Sequence, residues 1–120
     1  MRSLIITLIL FISIISAIAL NSHFVRKSAD TIIFYTSVEE FQKAPEDATA
    51  HLESFWSKNK LLLEFSVGYR DIDKMSELIL ELREAIDSSR MLEAERLCAL
   101  ISNCASNIAR LEHLSIENLL

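Results

Sequence analysis

One glycine, one proline and one tryptophan are all that 120 residues hold of these three types. With only Gly68 and Pro45, the chain has almost no material for tight turns or two-residue hairpins, which depend on such residues. A lone glycine also excludes the phosphate-cradling loops that need several. Alternating apolar and polar stretches are equally scarce, and the best of them, TIIFYTSV at residues 31–38, is short. The two cysteines, Cys98 and Cys104, form no C-x-x-C pattern, so nothing supports a thiolate metal site. The three histidines are scattered, and no serine stands in a nucleophile-elbow context. What these absences leave is helix.

What the chain does have is a long apolar run. Residues 4–20, LIITLILFISIISAIAL, contain nothing more polar than Thr7, Ser13 and Ser16, with Arg2 ahead of them. Crossing about 30 Å of hydrocarbon takes roughly 20 apolar residues. At about 1.5 Å per residue the run falls slightly short, and Met1 and the residues through Val25 extend it into the interface. A secretory signal is the competing reading, because an apolar core at residues 4–15 precedes an A-x-A pattern at Ala17 and Ala19. No glycine or proline interrupts the helical pattern before Pro45, whereas a peptidase needs extended chain. The expectation is therefore a transmembrane signal-anchor over residues 1–23, with cleavage after Ala19 as the alternative.

Orientation follows from flanking charge. Arg2 and the terminal amine nearly balance Arg26 and Lys27, but a short basic N-terminus before an apolar run is the usual signal-anchor arrangement. Both readings put residues 24–120 outside the cytoplasm, so the expected location is the cell membrane, single-pass, with an extracytoplasmic C-terminal domain. Setting Arg2 aside, that domain carries 11 basic and 17 acidic residues, a net charge of −6. It lacks the phosphate-neutralising surface that nucleic acid requires and a polybasic patch for anionic lipid.

The external part reads as one all-α domain. Val25, Ile32, Tyr35 and Val38 recur at helical spacing between Phe24 and Phe41, so the anchor is expected to run on into a first external helix. Pro45 disfavours helix at the residue before it and, with Glu46 and Asp47, opens a second helix. The inward face of that helix is read as Ala48, Leu52, Phe55 and Trp56, then Leu62 and Leu63 after a polar SKNK stretch that marks a kink or short break. A third helix follows a bend at Gly68, with Ile72, Met75, Ile79, Leu82 and Ile86 stepping by three and four. After a turn at Ser88 and Ser89, a fourth repeats the pattern with Ala94, Leu97, Ile101, Cys104, Ile108 and Leu111. Such steps are the signature of antiparallel bundle packing. The expected architecture is an N-terminal transmembrane helix continuing into an up-and-down antiparallel helical bundle. Ala48, Leu52 and Phe55 also echo Ala94, Cys98 and Ile101 at a constant offset, a pattern that two generic amphipathic helices produce as well.

Few side chains suggest chemistry. Cys98 and Cys104 stand about 240° apart round one helix, so they share no disulfide; Cys104 falls on the core seam, and Cys98 lies at its border. Asp47 and His51 sit one turn apart, and Asp71 and Asp73 form a D-x-D without the glycine or distal glutamate of a calcium loop. Asp71 reads better as an N-terminal cap of the third helix. Phe55, Trp56 and Phe65 read as core; the alternative is an exposed anchor for a partner helix or membrane interface, a role open to Tyr69 too. Leu78, Leu80 and Leu100 lie off the seams, where they either widen the core or dock a partner. No catalytic, cofactor-binding or metal-ligating residue is assigned. The expected partners are the membrane, through residues 4–20, and a protein partner or a second copy of the chain, with no nucleic acid.

Trp56, the stretch LLLEFSVGYRDIDKMSELILELREAI, the Ile72-Asp73 pair within it and the terminal Leu114-Ser115-Ile116-Glu117-Asn118 together resemble the bacterial family catalogued as domain of unknown function 4363. The resemblance covers nearly the whole chain and departs from the family at Tyr69-Arg70, where acidic residues or histidine are usual. It implies a small membrane-associated helical protein of the Gram-positive type and brings no assigned activity. Two classes of function remain: a membrane-tethered interaction module without enzymatic activity, or an extracytoplasmic ligand- or ion-sensing accessory using Asp47, His51, Asp71 and Asp73.

Overall fold

A computed structural model describes residues 1–119, with side chains described as far as Glu112. Five helices follow one another: α1 (Arg2–Tyr35), α2 (Val38–Lys43), α3 (Pro45–Val67), α4 (Tyr69–Asp87) and α5 (Met91–Leu119). No strand occurs among the described residues. The second half of α1 packs against α3 and α5, and α4 packs against the same two helices. Their contacts fix the directions. Asn21 of α1 bonds Ser66 near the end of α3, and Trp56 of α3 bonds Ser76 of α4 at 2.8 Å. The fold is an up-and-down four-helix bundle in which α1 and α4 run one way, α3 and α5 the other, with short α2 laid across the end remote from the apolar run.

The bundle half of α1 presents Ser22, Val25, Ser28, Ala29 and Ile32 to the core. Three of these five are small, which lets α1 approach its two neighbours closely. Leu52, Trp56 and Leu63 come in from α3, Ile72, Met75 and Leu82 from α4, and Leu97, Ile101, Ala105 and Ile108 from α5. Each fully buried large aliphatic side chain contributes about 1.5–3 kcal/mol. Trp56 is only 6% exposed, and its indole N–H donates to Ser76 Oγ, so its burial leaves no donor orphaned. Across the same α3–α4 seam, Arg83 donates from Nε to Glu53 Oε1 at 2.9 Å and also engages Asp87.

The α3–α4 connection is a single residue. Gly68 has φ +98° and ψ 158°, a conformation essentially reserved for glycine. A Cβ there would meet nothing within 4 Å. The requirement for glycine is thus imposed by the backbone and not by crowding. At the other end, Ser89 takes φ +58° in the α4–α5 turn.

Several expectations need correction. Helix α1 does not continue to Phe41. It stops at Tyr35, and α2 begins afresh after Ser37, whose side chain accepts from the Glu40 amide at 3.4 Å. Ser37-Val38-Glu39-Glu40 has the S-x-x-E form of a capping box, a start signal legible in the sequence. The restart turns Val38 out to solvent while Phe41 enters the core. The SKNK stretch does not break α3, which is continuous through it. Its face carries Leu63 inward and leaves Leu62 exposed. Asp71 does not cap α4: Gly68 holds the cap position and offers no side chain. In α4 the last seam position belongs to Ala85, with Ile86 half-buried, and in α5 Leu111 is exposed.

Leu82 and Ile101 lie at the centre of this core, at 1% and 0% exposure. Changing either to aspartate places an unpaired charge in an apolar interior and is expected to cost on the order of 3–5 kcal/mol. Thermal melting followed by far-ultraviolet circular dichroism should show a lowered Tm in each variant; unchanged melting in both means the core lies elsewhere.

Candidate functional site

The acidic and histidine residues singled out in the sequence do not converge. Asp47 and His51 lie in the first two turns of α3, and Asp71 and Asp73 in the first turns of α4. Because the two helices are antiparallel, these pairs occupy opposite ends of the α3–α4 hairpin. His51 instead stacks on Tyr35, ring centroids 5.6 Å apart and planes within 8°, which ties the start of α3 to the end of α1. No group of three or more His, Cys, Asp or Glu side chains is placed to hold a metal ion among the described residues.

Both thiols are buried, and Cys98, at the border of the seam, is 4% exposed. Loss of hydration, with Glu95 nearby, pushes its pKa up to about 12. Cys104 is also raised, again chiefly by burial. Neither cysteine is in a disulfide. Cys98 forms part of the wall of a cleft of about 340 Å³ between the α1–α2 junction and α5, which Thr36, Phe41, Glu95, Ser102 and Asn103 also line. Thr36 there already donates to Ile32 O at 2.9 Å.

The three off-seam leucines divide. Leu78 is half-buried against the core, whereas Leu80 and Leu100 are exposed. Leu80 stands one turn from Ser76 and Arg83, the α4 residues that bond Trp56 and Glu53 of α3, so it belongs to the α3-side flank of α4. Leu100 is one turn beyond Arg96, which feels the charge of Glu81 from α4, so it lies on the α4-side flank of α5. Opposite flanks of α4 separate them, and they do not form one docking face.

The end of the bundle nearest the apolar run is more organised. None of residues 1–20 is buried, and α1 is long and apolar enough over this stretch to cross a membrane. Directly after it, Asn21 joins three helices. Its amide donates to Glu112 Oε1 of α5 at 3.3 Å, and its carbonyl accepts from Ser66 Oγ of α3. Beside this junction the aromatic residues read together in the sequence part company. Trp56 is core and Phe55 half-buried, but Phe65 is 85% exposed and Tyr69 is exposed with it, as are Leu61 and Leu62. Leu61, Phe65, Gly68 and Tyr69 line one shallow depression together with Glu64.

The model of a family described as Domain of unknown function (DUF4363) matches residues 12–119, which takes in the bundle and the second half of the apolar run. No curated protein and no solved structure matches the chain.

The thiol environment makes a direct prediction. With a pKa near 12, the thiolate fraction of Cys98 at pH 8 is about one in ten thousand. A raised thiol pKa keeps the group neutral and inert below it, so alkylation at pH 8 should be slow in the folded protein and become fast when denaturant unfolds it. Rapid stoichiometric labelling of native protein at both cysteines contradicts the burial.

Proposed function

The chain belongs to the DUF4363 family, and on that premise we propose that it is a membrane-anchored, non-enzymatic helical module of the bacterial cell envelope. It works by binding another envelope protein or a second copy of itself, with its bundle on the extracytoplasmic side. One observation carries the reading: α1 is a single helix whose second half is core of the bundle and whose first half has no buried residue among positions 1–20. A helix shared in this way ties the folded domain to whatever medium accepts residues 4–20, with no linker between. Binding is favoured over sensing because the polar set lies at both ends of a hairpin.

A secreted form is the second reading, supported by Ala17 and Ala19. Cleavage after Ala19 would leave residues 20–35, which include every buried residue of α1, so the bundle would keep its fourth helix. Fold alone does not distinguish the two forms.

Fractionation of expressing cells does. Full-length protein with its N-terminus intact should stay in the membrane pellet after carbonate washing, and cross-linking in those membranes should give a discrete multimer or a defined hetero-adduct. A soluble product beginning at Leu20 replaces the anchored reading with the secreted one. Monomer alone, after cross-linking in intact membranes, contradicts the binding role.

A further inference from the structure

We propose that the α3–α4 turn is a second lipid contact, in which Phe65 and Tyr69, backed by Leu61 and Leu62, seat in the interfacial layer of the bilayer that residues 4–20 cross. The proposal rests on the anchored reading above and adds a surface to it. Its basis is the level at which the turn is held. Asn21, the first residue after the apolar run, accepts a hydrogen bond from Ser66 Oγ. Because α3 runs antiparallel to α1, the chain beyond Ser66 lies nearer the run. Val67, the last residue of α3, is about 1.5 Å farther on, and Gly68 then reverses the chain into α4, so Tyr69 stands at about the level of Asn21, directly beside the last turn of the apolar segment. Ile18, in that turn, is the one residue among 1–20 that is partly covered.

The composition of the turn suits that level. Elsewhere on α3 the large apolar residues point inward, as Leu52, Trp56 and Leu63 do, but Leu61, Leu62 and Phe65 point out. They are gathered on the last two turns of the helix, and one-residue reversal at Gly68 sets Tyr69 beside them. Aromatic side chains with a polar tip collect at membrane–water boundaries, and leucine and phenylalanine enter the headgroup–acyl boundary by about 5–10 Å. The run itself offers about 25 Å against about 30 Å of hydrocarbon. A short span draws flanking structure toward the bilayer, and an apolar turn at that level is what would be drawn in. The occupant is lipid because the anchor fixes the turn in the headgroup region whatever else is present. Contact there is apolar in kind: Glu64 lies within the patch and exposed Arg70 follows Tyr69, so the local charge is balanced and anionic lipid gains little from it.

Tryptophan fluorescence of the full-length protein in phosphatidylcholine nanodiscs tests this, with brominated acyl chains as quencher. Native Trp56 is buried in the bundle and supplies a constant background. Added emission from Phe65→Trp should be blue-shifted and quenched, as should that from Ile12→Trp in the span, while that from exposed Leu80→Trp should be neither. Replacing part of the phosphatidylcholine by phosphatidylglycerol should leave the quenching at position 65 unchanged. Quenching at position 12 without quenching at position 65 overturns the second contact and leaves the anchor standing. Absence of quenching at both overturns the anchored reading itself. Quenching at position 65 that appears only with phosphatidylglycerol overturns the apolar basis of the contact.

Discussion

The first half of α1 holds a dozen leucine, isoleucine and phenylalanine side chains, nearly all exposed. At about 1.5–3 kcal/mol for each large apolar side chain left in water, their exposure costs roughly 20–35 kcal/mol. That exceeds the whole folding stability of a typical domain, about 5–15 kcal/mol. Transfer of this segment to an apolar medium would therefore release more free energy than folding a typical domain does. The rest of the structure is arranged around the fact, since the same helix, without a break, becomes a wall of the bundle at Ser22. One unbroken helix carries an uncovered apolar stretch along one half and packs against protein along the other, and the boundary between them is marked by the polar junction of Asn21 with Ser66 and Glu112.

From that boundary the remaining constraints follow. Close helix approach at α1 is allowed by Ser22, Ser28 and Ala29. At the end of the bundle nearest the apolar run, Gly68 reverses the chain in one residue. At the remote end the chain has more freedom: Thr36 and Ser37 end one helix and start the next, and α2 covers the core with Phe41. The chain's polar residues are mostly placed between helices or on the surface, as in the Arg83 bridge to Glu53, and no described cluster of them forms a site.

The helical class, the α4 seam and most of the α5 seam were legible because the core selects one face at a regular angular step, and that step is written in the apolar spacing. The misreadings have physical causes. A helix in a four-membered ring touches two neighbours, so its buried stripe is wider than an a/d seam; Cys98 and Ala105 of α5 lie in that extra width. Stripes also fade at helix ends, where a neighbour runs out, as Ile86 and Leu111 show. The break at Thr36 was signalled by Ser37 and Glu40 but masked by apolar spacing that continues across it. Whether Leu62 or Leu63 faced inward was decided by α3 staying helical through SKNK, which fixes Leu63 seven residues after Trp56 on the same face. No periodicity could separate Phe65 from Trp56, because the difference between them is the level along the bundle and the lack of a neighbour there. That position, and not its residue type, is what makes the turn a candidate surface.

Nitroxide labels placed singly along α1 in nanodisc-embedded protein, with Cys98 and Cys104 replaced by alanine, measure the two media of this helix directly. Labels at positions within 4–20 should be open to oxygen and closed to a water-soluble nickel complex, with nickel access returning at exposed Arg26 and Asp30 while Val25 and Ile32 exclude both reagents. Nickel access throughout residues 4–20 would contradict the account.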